Sequence, residues 1–123
     1  MAWDLEKDRT NRLAAEALYC AGESGKFWEM HDWLYANVDL WSSAEDVATV
    51  LREEAAPAVG MDRAGLAACL QEERYYAQLE AFQQDAEQRE VQSVPFFLVN
   101  GEAIYGASPF ETFRQAIEGA LQP

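Results

Sequence analysis

The sequence predicts an α+β chain that is mostly α, with about five helices followed by a β-hairpin and a C-terminal helix. Three observations predict it. Apolar residues recur at helical spacing up to about residue 90. The period then changes at "SVPFFLVNGEAIYG", residues 93–106, where Asn-Gly separates two short apolar runs. That is the strongest short hairpin signal. After Gly106 a helical stripe resumes.

Each element has its own signal. Leu13, Ala14, Ala17, Leu18 and Ala21 place a helix over 8–21, stopped by Gly22. Phe27, Met30, His31, Leu34 and Tyr35 form one face of a second helix. Ser42-x-x-Glu45 reads as a capping box opening a third, with Val47, Val50 and Leu51 inward. Pro57 kinks or ends it, and Gly60 closes the turn. Asp62 caps a short helix carrying Leu66, Cys69 and Leu70. A longer helix follows, with Tyr75, Leu79, Phe82 and Ala86 in line. Val94 precedes Pro95 and is pushed to extended geometry. Strands are expected over 96–99 and 103–105, turning at Asn100-Gly101. Ser108-Pro109-Phe110-Glu111 reads as a capping box for the last helix, striped by Phe110, Phe113, Ile117 and Leu121.

Composition narrows the function. The chain has 123 residues, half of them hydrophobic, which suits one domain with a real core. It carries 22 Asp and Glu against 9 Lys and Arg, a net charge of −13. Such a surface repels phosphate backbones, so no nucleic-acid partner is expected. No apolar run approaches the roughly 20 residues of a membrane span. The stretch "MAWDLEKDRTNR" is charged, lacks a signal peptide's apolar core, and is too polar to supply a buried strand. As written, the chain is expected in the cytoplasm. No cofactor is expected, and His31 with Cys20 and Cys69 matches no common zinc pattern. The pairs Glu53-Glu54 and Glu72-Glu73 splay apart on a helix and are not a glycosidase pair. His31 reads as a packed residue, and Trp28, Trp33 and Trp41 as core or interface packing, with a ligand pocket second.

The hairpin poses a question of partners. A strand that reads as a continuous apolar run belongs inside a sheet. The second strand covers one edge of 96–99, and the rest of the chain offers nothing for the other. An exposed apolar edge invites pairing with another chain. Three answers fit: strands from an upstream half-domain, strands from another chain such as a homodimer partner, or helices curled over the edge.

Two blocks then resemble a known family. "CAGESGKFWEMHD" is similar to a segment of the form C-A-x-E-x-G-K-F-W-E-x-H-D, common in the helical insertion of DsbA-like thiol–disulfide oxidoreductases. "VPFFLVNGEAIYGASPFETFRQAIE" resembles their C-terminal ββα unit. The resemblance covers residues 10–121 and implies one truncated domain, an incomplete thioredoxin-like fold. Residues 8–91 correspond to the insertion and 94–121 to the ββα unit. The resemblance places a C-x-x-C ahead of these blocks, and the chain has none.

Further expectations follow from that resemblance. Pro95 aligns with a cis proline facing the C-x-x-C, with Val94 offering its backbone to an extended substrate; a trans proline opening a strand is the plainer reading. Partners would be protein thiol substrates. Cys20 and Cys69 are either a structural disulfide closing a loop of about 50 residues, worth roughly 4 kcal/mol, or two buried thiols. Neither reads as an activated nucleophile. Thiol–disulfide exchange needs an attacking thiolate and a resolving thiol, so this chain alone is expected to lack dithiol oxidase activity. A non-enzymatic assembly module and a kappa-type glutathione transferase or isomerase relative are the alternatives.

Overall fold

The computed structural model describes residues 8–123. The reading of the polar N-terminus as no strand lies, for residues 1–7, outside the described residues. The chain divides into two compact units that meet in sequence between Gln83 and Gln84.

The first unit is helical. Helix α1 spans Arg9–Gly22, α2 Phe27–Ala36, α3 Val38–Ser42 and α4 Val47–Val50. A π turn follows at Leu51–Ala55, then α5 at Ala56–Ala58 and α6 at Arg63–Gln71. Helix α7, Tyr76–Gln88, begins in this unit. The core gathers Leu13, Ala17, Met30, Leu34, Leu51, Leu66 and Leu70. Trp41 joins it by donating its indole N–H to the Leu34 carbonyl at 2.8 Å. A disulfide joins Cys20 on α1 to Cys69 on α6, both within the core, with 49 residues of sequence separation.

The helix ends depart from expectation in three places. Gly25, not Gly22, closes α1: it has φ +71°, and Lys26 N–H reaches back to the Ala21 carbonyl at 2.8 Å. Left-handed backbone of this kind favours glycine. The capping box at Ser42 does not form. Asp46 caps α4 instead, its carboxylate accepting from Thr49 N–H at 3.2 Å and from the Thr49 hydroxyl at 2.7 Å. A charged acceptor next to the first turn outcompetes a hydroxyl four residues earlier. The helix also runs through Pro57 to Ala58. The turn before it widens, Ala56 N–H bonding the Leu51 carbonyl. A proline ring in a regular helix meets the carbonyl four residues back. The wide turn gives that carbonyl, on Glu53, room.

The second unit holds the end of α7, strand β1 (Phe96–Val99), strand β2 (Glu102–Tyr105) and helix α8 (Phe110–Leu121). The strands pair antiparallel, Phe96 opposite Tyr105 and Val99 opposite Glu102. Asn100 and Gly101 turn with φ +52° and +87°, as a two-residue hairpin loop requires. Helix α8 covers one face: Phe113 meets Phe97 edge-on at 4.9 Å. Ile104 and Ala116 are buried there. The rest of the expected α8 stripe is not buried, since Phe110, Ile117 and Leu121 are exposed. A helix of 12 residues is about 18 Å long, and a four-residue strand about 13 Å, so the helix is longer than the strand it covers. The second capping box also fails. The Ser108 hydroxyl donates to the Tyr105 carbonyl at 3.1 Å, and Pro109 stands at the cap with no side-chain hydrogen bond.

Candidate functional site

Val94, at the hairpin entrance, lines an open groove of about 520 Å³ together with Asp85, Ala86, Arg89, Val91, Phe96 and Leu98. The helix supplies an ion pair, Arg89 Nε to Asp85 Oδ2 at 3.0 Å. The chain leaves α7 through Glu90, at φ +58°, with Val91 N–H bonding the Ala86 carbonyl at 3.0 Å. Val94 is 87% exposed. The Val94–Pro95 peptide bond is cis. The Pro95 carbonyl accepts from Gly106 N–H at 2.8 Å, which continues the ladder one step past the strands.

The ladder register decides which backbone groups are free. Residues directly opposite alternate between bonded and non-bonded pairs. Val99 and Glu102 flank a two-residue turn and form a bonded pair; Phe97 with Ile104 is the next. The Pro95–Gly106 bond fits the same alternation. The N–H and C=O groups of Phe96 and Leu98 therefore face the opposite edge. Among the described residues no strand pairs there. The site presents, in register, unpaired backbone donors and acceptors beside exposed apolar side chains. Such an edge accepts an extended chain.

No nucleophilic thiol accompanies it. Both cysteines are in the disulfide, and among the described residues no His, Cys, Asp and Glu cluster could hold a metal ion. His31 does not occupy a catalytic setting. Its Nδ1 lies 3.1 Å from Asp32 Oδ1, and its ring packs against Trp28 and Tyr35. The three tryptophans separate in role: Trp41 is buried, Trp33 partly buried against the core, and Trp28 exposed.

Sequence reading missed one feature of the helical unit. Arg12 and Glu16 are buried, Glu16 to 1% exposure. Arg12 Nε lies 3.4 Å from Glu16 Oε2, and its guanidinium sits 5.2 Å from the Tyr76 ring centre. Burial pushes the Glu16 carboxyl above the usual range, and the Arg12 charge opposes this only in part. The signal was present: positions 12 and 16 fall in the stripe of Leu13, Ala17 and Cys20.

No described helix is long and apolar enough to cross a membrane. No curated protein and no solved structure gives a match. A family model described as thioredoxin matches residues 2–119. It takes in the helical unit, the Val94–Pro95 entrance, the hairpin and most of its covering helix, so this mostly helical chain, which holds one two-stranded antiparallel sheet among the described residues, belongs to the thioredoxin family.

Proposed function

We propose that the chain is the helical insertion and C-terminal ββα unit of one DsbA-like thiol–disulfide oxidoreductase domain. In this reading Val94 and Pro95 form the substrate-peptide side of the active site, and the reactive dithiol belongs to a part this chain lacks. The observation that carries the reading is β1, an apolar strand with one edge paired and the other without a strand partner among the described residues. Family membership points to thiol–disulfide exchange as the chemistry. The disulfide between Cys20 and Cys69 serves as a structural link, because both sulfurs are buried away from any incoming thiolate.

The test is insulin reduction by the chain with dithiothreitol as electron donor. The expected rate is that of dithiothreitol alone; turnover comparable to an intact oxidoreductase overturns the reading. Hydrogen exchange checks the strand directly. The amides of Phe96 and Leu98 should exchange rapidly and that of Phe97 slowly. The same bare edge favours a second reading, an assembly module that pairs β1 in trans. Light scattering showing a defined dimer, with Phe96 and Leu98 protected, would select it.

A further inference from the structure

Helix α2 buries Met30 and Leu34 on one side and displays aromatic rings on the other. Trp28 is 68% exposed and Tyr35 73%. The His31 ring lies between them, 5.2 Å from Trp28 and 4.8 Å from Tyr35, centre to centre. Phe27 abuts Trp28 edge-on at 5.0 Å, and Tyr19 on α1 abuts Phe27 at 5.6 Å. The rings thus form a braced ridge. Core packing does not account for large rings so exposed, and contiguous exposed apolar surface marks interaction sites.

The charges beside the ridge specify the partner. Trp28, Asp32 and Tyr35 stand at i, i+4 and i+7, one face of the helix. The Asp32 side chain is 84% exposed, and its partner is His31 rather than any Lys or Arg. Glu29 adds a second carboxylate in the first turn of the same helix. An exposed carboxylate on the helix face that carries Trp28 and Tyr35 suits a guanidinium or ammonium, which aromatic faces attract and a carboxylate pairs. We infer that this ridge docks a basic segment of a partner protein, with an Arg or Lys side chain seated over Trp28 and Tyr35 against Asp32. The ridge belongs to the helical unit and is argued from other residues than the β1 edge, so this inference does not rest on the proposed redox reading.

The experiment is an NMR titration of the full chain, in 150 mM salt, with a nonapeptide carrying four arginines. A matched peptide with citrulline in their place is the control. The expected result is shifts centred on the Trp28 indole, His31 and Tyr35, lost with citrulline. Replacing both exposed rings, Trp28→Leu with Tyr35→Leu, should weaken binding at least about 5-fold, since each exposed cation–π contact is worth roughly 2- to 5-fold. Asp32→Asn, which leaves every ring in place, should weaken it 2- to 3-fold. Both changes fall on exposed side chains, and the core tryptophan Trp41 reports folding. Affinity unchanged in the double variant overturns the inference. So do shifts centred on another acidic surface such as Glu111 and Glu118, or a self-association that the ring substitutions abolish.

Discussion

Through residue 83 the chain buries Met30, Leu51, Leu66 and a disulfide in one continuous core. From residue 84 on, the buried apolar side chains among those described are Ile104 and Ala116. In the hairpin Phe97 and Leu98 stay 40% and 41% exposed, although the sequence there is as apolar as any in the helical unit. Hydrophobicity sets how much surface a segment wants to hide, and topology sets how much it can. A cluster of helices packed on one another closes on itself. A two-stranded ribbon with one helix has two faces and two edges, and covers one face.

The sharpest way to break this contrast is to remove the covalent link from the well-packed unit. Cys20→Ala with Cys69→Ala should cost about 4 kcal/mol in the chain-entropy model. Urea melts with and without reductant measure it, and an unchanged midpoint would mean the core holds the unit without the link. Next comes Leu66→Ala, expected to cost about 2–5 kcal/mol because Leu66 is fully buried. Leu121→Ser, on the exposed stripe of α8, should stay within about 0.5 kcal/mol. Equal costs for these two would erase the distinction between the units. Within the hairpin, Gly101→Ala places a Cβ at φ +87° and should cost about 1–2 kcal/mol. It is read as lost protection of the Phe97 amide.

A pH-dependent effect concerns Glu16. Its raised pKa means that the folded chain holds this proton more tightly than the unfolded one. The contribution is therefore full below the unfolded carboxylate range and is lost as pH rises through the raised folded value. Arg12, Arg9 and Glu73 are the charges facing it. Acidification from neutral through that window should stabilise the chain by at most about 1.4 kcal/mol per pH unit from this proton. Glu16→Gln should remove that part of the slope in urea melts across pH. A slope indifferent to the substitution would place the linkage elsewhere.

Much of this architecture was legible because periodicity reports burial where helices pack on helices. Leu13, Ala17, Leu51, Leu66 and Leu79 were all read as inward and are buried. The Asp62 cap and the Asn-Gly turn were legible because each rests on chemistry local to a few residues. Both capping boxes misled because local chemistry offered something better: Asp46 takes the α4 cap in place of Ser42, and the Ser108 hydroxyl donates to the Tyr105 carbonyl. The stripe on α8 misled because spacing cannot say whether anything stands opposite. At the hairpin entrance, the apolar run and its bare edge could be read from residues. The direction of each N–H along β1 required the register.

The widened turn at Leu51–Ala55 carries one more consequence. It holds one residue more than a regular helix would need to reach the same height, and the following segment is rotated accordingly. Ala55 and Ala56, which join the wide turn to α5, are both fully buried. Deleting Glu53 or Glu54 would restore ordinary winding, swing Val59 out of the interior and drive the Pro57 ring against the backbone. Length is therefore fixed here as firmly as side-chain identity, and insertions or deletions across this family should fall in the loops on either side of it.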